Sequence, residues 1–149
     1  IGKDRVGKTA ARCRVRVSLL VAIDQTGVVH SEMRKGAYNK ETYAKFLQAL
    51  PRDRTIIADN VSFHKSENVA NIAKERGQTL VYTPPYSPCM NPVEGVFSKT
   101  KAAYRRARLS GNVDFRYDVR KALGKITSTD CEGYFRGAKR ARLVAISNP

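Results

Sequence analysis

The chain has 149 residues, enough for one domain with a real hydrophobic core and too few for two comfortable ones. Its 42% hydrophobic content argues against disorder, and no apolar run approaches the ~20 residues that a bilayer-spanning helix needs. Lys and Arg number 28 against 13 Asp and Glu, a net charge of +15, which points to a polyanionic partner, most simply nucleic acid; a generally basic protein with no specific acidic ligand is the blander alternative.

Residues 1–16 carry Gly2 and Gly7 among six cations and read as a basic extended arm or edge strand, with the arm proper over 1–14. VRVSLLVAID (15–24) is a strand too apolar to face water on both sides. Gln25-Thr26-Gly27 turns the chain, and VVHSEMRKG (28–36) returns antiparallel. Asn39 is an N-cap for the helix NKETYAKFLQAL, whose Tyr43, Phe46, Leu47 and Leu50 form one buried stripe and which Pro51 stops. RTIIAD (54–59) is a short buried strand. Ser66 caps a helix with Val69, Ile72 and Ala73 on one face and Gly77 at its end, and TLVYT (79–83) is the next strand, closed by Pro84-Pro85. Strand, helix and strand in so short a span is the crossover of a parallel pair.

A long helix is predicted from Asn91 to Leu109, basic on its outer side, and broken by Gly111 and Asn112. Another follows over about 114–126, with Phe115, Val119, Ala122, Leu123 and Ile126 together. Ser128 or Thr129 starts a short final helix holding Tyr134 and Phe135, and the tail KRARLVAISNP is expected at the periphery. The fold class is therefore α/β: a mixed sheet, antiparallel at the start and parallel afterwards, with flanking helices on both faces. The core is expected over 15–110, with 111–149 as a helical extension of the same domain.

In such sheets ligands sit beyond the carboxyl ends of the parallel strands. Asp59 stands at that end of its strand, and the Pro84–Pro92 loop delivers Glu94 there. Hard divalent cations take carboxylate oxygens, and two such ions roughly 3.5–4 Å apart serve phosphodiester cleavage. Each residue also has a plainer reading. Asp59-Asn60 is an ordinary turn after a strand. Asn91-Pro92-Val93-Glu94 is a capping box with proline at N1. His64 either packs at a loop-to-helix junction or supports the metal ligands and phosphate.

The strings Asp59-Asn60-x-x-x-His64 and Thr83-Pro84-Pro85-Tyr86-Ser87-Pro88-x-x-Asn91-Pro92-x-Glu94 resemble the catalytic core of mariner-like DDE transposases, closest to the bacterial insertion-sequence branch and its eukaryotic relatives. The 34 residues between Asp59 and Glu94 match that family's spacing of its second and third acids. The resemblance spans most of 15–138 and implies a ribonuclease H-like fold. It makes Asp59 and Glu94 catalytic metal ligands for Mg2+ or Mn2+, two ions where the site is complete. Asn60, His64 and Asn91 become supporting or phosphate-contacting groups. The implied activity is metal-dependent DNA strand cleavage and strand transfer in DNA recombination and transposition.

Two departures stand beside it. The family's first catalytic Asp belongs on a strand ahead of the hairpin; Asp4 sits in the basic arm and Asp24 in a turn, so that strand is missing or lies upstream of Ile1. An opening on Ile rather than Met fits a fragment, and the helix-turn-helix modules by which such transposases read their ends are not in this sequence. Cys89 replaces an Asp that is usual in the family's loop. DNA is expected to be held through its phosphate backbone, with Lys99, Lys101, Arg105, Arg106 and Arg108 as candidate contacts, each of which also reads as part of a solvated helix face. A homodimer or larger assembly is an expected partner arrangement, and no membrane is. The alternative function is a domesticated or decayed domain that binds DNA or builds a nucleoprotein assembly or virus particle without turnover. Cys13, Cys89 and Cys131, odd in number and far apart, fit free thiols in a reducing compartment, a nucleus or nucleoid, or a virus particle.

Overall fold

The computed structural model describes residues 17–109 and 114–147. The basic arm with Asp4 and Cys13, the Gly111-Asn112 break and the side chain of Arg108 lie outside the described residues.

The apolar run forms β1 (Val17–Asp24), paired antiparallel with β2 (Gly27–Lys35) and carrying a register shift between Ala22 and Ile23. Asp24 closes the hairpin: its Oδ1 accepts from Thr26 N at 2.7 Å, Thr26 Oγ1 at 2.6 Å and Gly27 N at 3.2 Å. An Asp at this position satisfies turn amides that no strand partner reaches.

Helix α1 (Lys40–Ala49) begins as expected. Asn39 Oδ1 accepts from Thr42 N, and Asn39 N donates back to Thr42 Oγ1, so two orphan groups are met reciprocally. Its far end depends on distant residues. Gln78 Nε2 donates to the carbonyls of Leu47 and Pro51, and Arg76 Nη2 donates to that of Leu50. β3 (Thr55–Ala58) and β4 (Thr79–Tyr82) pair in parallel across α2 (Glu67–Glu75), the predicted crossover. Ser66 occupies the N-cap position of α2, but its hydroxyl makes no capping bond. Gly77 follows α2 at φ 64°, where any Cβ would overlap the Asp53 carboxylate.

Helix α3 (Val93–Leu109) and α4 (Phe115–Leu123) follow, α4 capped by Asp114 Oδ1 through the amides of Arg116 and Tyr117. The last helix departs from expectation. α5 runs 20 residues, Ser128–Ser147, and takes in most of the tail read as peripheral. Thr127 starts it: Asp130 N donates to Thr127 Oγ1, and Thr127 N donates to Asp130 Oδ2.

Two apolar clusters lie on opposite sides of β1. Leu20 and Ala22 pack with Tyr43, Phe46, Leu47, Leu50 and Val69 from α1 and α2. Leu19, Val21 and Ile23 pack with Val96, Val119 and Leu123 from α3 and α4, and with Tyr134. Alternate side chains of one strand feeding two cores explains why the run is apolar at almost every position. The sheet differs from the single mixed sheet expected: it comes as two two-stranded pieces, β1–β2 and β3–β4. Among the described residues no strand joins them, and β1 stays only half-buried from Val17 to Ile23.

Candidate active site

Asp59 follows directly on the buried end of β3, and the parallel ladder continues past it through Thr83 N donating to Ala58 O at 2.9 Å. Its carboxylate is half-exposed, with Oδ1 2.9 Å from Nδ1 of His64. The same Nδ1 lies 3.1 Å from the Asp59 carbonyl oxygen. Two acceptors facing one ring nitrogen place the proton on Nδ1. This hydrogen bond, more than the opposing effect of burial, holds the Asp59 carboxyl below the usual carboxylate range.

His64 is buried, in a 3-10 turn over Ser62–Lys65. Its ring stacks on Tyr43 of α1 with centroids 3.9 Å apart and planes at 25°. Tyr82 donates its hydroxyl to the His64 carbonyl at 2.6 Å, and Lys65 Nζ stands 5.5 Å over the Tyr82 ring. Burial raises the Tyr43 hydroxyl well above its ordinary pKa, with Tyr82 and the Asp59 charge adding to it, so that phenol stays neutral beneath the histidine. Sequence reading placed Tyr43 in a core stripe and gave it no part in the site; a helical repeat shows which face is buried but not which ring a face touches.

The second wall is the loop after β4. Thr83 is buried, Pro84 to Tyr86 emerge into solvent, and Ser87 Oγ donates to the Pro85 carbonyl. A 3-10 turn, Pro88–Met90, buries Met90 against α5. Asn91 Oδ1 then accepts from Val93 N at 3.3 Å. The expected capping box is not completed. The Asn91 N–H donates to the Pro88 carbonyl at 2.9 Å, so Glu94 has no amide to reach back to. Among the described residues no hydrogen-bond partner holds the exposed Glu94 carboxylate, which stands in the first turn of α3, where the helix dipole favours an anion. Gly95 beside it lies under the Tyr134 ring of α5, and a Cβ there would overlap that ring.

Asp59, Asn60, Asn91 and Glu94 line one cavity of about 360 Å³ together with the loop from Thr83 to Pro88. The structure thus brings together four of the five site residues predicted outside the basic helix; His64 supports the cavity from below through Asp59. Of the cations, Lys99 bonds Asp130 Oδ2 at 2.5 Å, tying α3 to α5, while Lys101, Arg105 and Arg106 are exposed on α3. Oxygen donors without thiolate or imidazole in the cavity itself suit a hard divalent cation. Among the described residues no three His, Cys, Asp or Glu side chains cluster as a complete metal cage.

A family model described as DDE superfamily endonuclease matches residues 1–115. The chain belongs to that family. The likeness extends to solved structures. The catalytic domain of the Mos1 mariner transposase superposes with a TM-score of 0.61 at 21% identity, covering 83% of this chain and 67% of that one. The Mos1 mariner paired-end complex with Mn gives 0.62 at 20% identity, with 95% and 46% covered. The simian T-cell lymphotropic virus intasome, in complex with the PP2A regulatory subunit B56 gamma, gives 0.57 at 17% identity, with 73% and 41% covered. At such identities the match speaks for the fold, which is the ribonuclease H-like one of the Mos1 catalytic domain. The DDE chain here spans two thirds of that catalytic domain and less than half of the longer Mos1 chains. No curated protein matches it.

Proposed function

We propose that the chain is the catalytic core of a DDE-type transposase, acting on DNA by metal-dependent strand cleavage and strand transfer. The observation that carries this reading is the pairing of Asp59 and Glu94 across one cavity at the carboxyl ends of the parallel strands. Family membership and the Mos1 catalytic-domain structures with Mg and with Mn support the same chemistry. Asp59, ionised and aimed by His64, and Glu94, exposed at a helix start, would hold Mg2+ or Mn2+. Bound ions of this kind supply the charge that activates an attacking oxygen and stabilises a leaving one.

The chain's own residues do the rest. Asn60 and Asn91 offer amide groups at the cavity wall for a phosphate oxygen. Lys101, Arg105 and Arg106 along α3 give the DNA backbone a cationic track, with little readout of sequence. A homodimer or larger assembly, and a nuclear or nucleoid setting, go with this reading.

A second reading rests on the acid count. Two carboxylates line the cavity among the described residues, where a transposase of this kind uses three. The chain would then be a DNA-binding or structural part of a nucleoprotein assembly or virus particle, without turnover. A nicking assay on supercoiled DNA separates the two. Mg2+-dependent nicking lost in both Asp59→Ala and Glu94→Ala supports the enzyme. Nicking unchanged in those variants removes the two acids from the mechanism. DNA binding without nicking, in the presence of either metal, favours the second reading.

A further inference from the structure

One side chain at the mouth of the cavity serves neither the core nor the acids. Tyr86 is fully exposed, at 102%, more than any other large apolar side chain described. Leu109, at 89%, ends a helix, and the Tyr117 ring, at 56%, carries Lys121 Nζ 5.8 Å from its centroid. Single exposed aromatics are common on protein surfaces and need no explanation alone. Tyr86 differs in its backbone as well: its φ is 56°, in the left-handed region. A residue with a Cβ is held there at a cost of order 1–3 kcal/mol. Glycine or asparagine would fill the position with less strain and without an apolar ring in water. Folding therefore gives no reason for a tyrosine here.

The loop restrains the backbone that carries this ring. Pro84 and Pro85 fix the backbone before it, Pro88 fixes it after, and Ser87 Oγ bonds back to the Pro85 carbonyl. A backbone already restrained loses less freedom when the ring it carries takes a flat partner. It also borders the same cavity as Asp59 and Glu94. In a chain of net charge +15, the flat partner most consistent with the surroundings is a nucleobase.

We propose that Tyr86 is a stacking platform for an unpaired nucleobase beside the Asp59–Glu94 cavity. The proposal rests on DNA being the substrate, as argued above, and says which form of DNA the site takes. Bases inside an intact duplex already have both faces covered. Only a base at a frayed end, in a single strand or turned out of the helix can lie on the ring. Tyr86 thus selects strands opened next to the phosphate that faces the acids, and fixes their position along the cavity.

The test uses a short single-stranded oligonucleotide and a blunt duplex of equal length, with EDTA present so that turnover plays no part. The chain contains no tryptophan, so Tyr86→Trp gives a single indole reporter at the site. Its emission is expected to be quenched by the single strand, and far less by the duplex or by heparin at the same salt. Tyr86→Ala is expected to bind the single strand about ten-fold more weakly, while Tyr86→Phe binds as the tyrosine does. Indole emission that stays unchanged while the single strand binds would overturn the stacking role. So would a Phe variant as weak as the Ala one, since the hydroxyl would then be the contact. Quenching by an apolar peptide but not by the oligonucleotide would replace the base with a protein partner. A wild-type chain that binds neither DNA form would remove the DNA reading itself, and this inference with it.

Discussion

The His64 imidazole faces Asp59 twice through one nitrogen, with Nδ1 2.9 Å from the carboxylate Oδ1 and 3.1 Å from the backbone carbonyl. The six residues from Asp59 to His64 are closed into a ring that fixes both where the carboxylate points and how it titrates. Because the histidine is buried against Tyr43, the orientation of an exposed acid is set by the core. His64→Ala should therefore raise the Asp59 pKa from its lowered value towards 3.8 and weaken Mn2+ binding about ten-fold. An NMR titration of the Asp59 carboxyl carbon reads the first effect. His64→Asn, which keeps a side-chain amide donor, should recover part of both. An unmoved Asp59 titration in the Ala variant would show that the imidazole does not govern the acid.

Gly95 and Tyr134 couple Glu94 to the last helix. A Cβ at position 95 meets the Tyr134 ring, so Gly95→Ala should destabilise the fold by about 1–3 kcal/mol in urea melts, as overpacked contacts do. Tyr134→Ala, which is itself destabilising, should make the added methyl group far less costly. The two changes should thus be strongly non-additive. Additive costs would mean that α5 does not press on the first turn of α3.

The start of α5 carries a pH signature. Asp130 is held down to about 2 from an ordinary 3.8, first by the hydrogen bond from Lys99 and then by Thr127. Its folded pKa lies below the unfolded one. The stabilisation is thus complete above pH 3.8 and is lost as pH falls from there towards 2. Lys99 is shifted upward by the same partner, so its share is complete below pH 10.5 and fades above it. Relative to Asp130→Asn, the wild-type chain should lose stability over pH 4–2 and hold a steady difference at neutral pH. A difference that does not change between pH 2 and 4 counts against the bridge. Thr127→Ala, which removes the cap, should cost about 1 kcal/mol at neutral pH and less as pH falls below 3.8, because the lost hydroxyl also bonds the Asp130 carboxylate.

Binding to a DNA duplex should weaken steeply with salt, since each phosphate contact releases counterions. Lys101→Ala and Arg105→Ala should each reduce the slope of log affinity against log salt by about one. Lys99→Ala should change it less, because that ammonium is bonded to Asp130. A full loss of slope in the Lys99 variant alone would place the DNA track on the α5 side of α3.

Much of this was legible in the sequence because it depends on neighbours. The stripe of Tyr43, Phe46, Leu47 and Leu50, the Asn39 cap and the crossover from β3 through α2 to β4 follow from local spacing, and the structure has all three. The motif residues Asp59, Asn91 and Glu94 do meet at one cavity. What escaped reading depends on distant partners. Glu94 lacks its capping amide because Pro88 takes the Asn91 N–H first. α5 continues through Gly133 and Gly137, where intrinsic preference alone would end a short helix, with its first half resting on α3 and the Pro88–Met90 turn. Lys99 reads in the sequence as a candidate DNA contact or part of a solvated face, while its partner Asp130 lies 31 residues on. The division of the sheet into two pairs is likewise a matter of which strand edges meet, which no alternation of side chains encodes.

The most direct measurement is Mn2+ titration of the chain followed by paramagnetic broadening of carboxyl signals. The expected result is that Asp59 and Glu94 broaden together at the same metal concentration, and that Asp59→Asn or Glu94→Gln each weakens the binding at both positions. Broadening at other carboxylates first, or Mn2+ affinity untouched by either substitution, would contradict a shared metal site between these two acids.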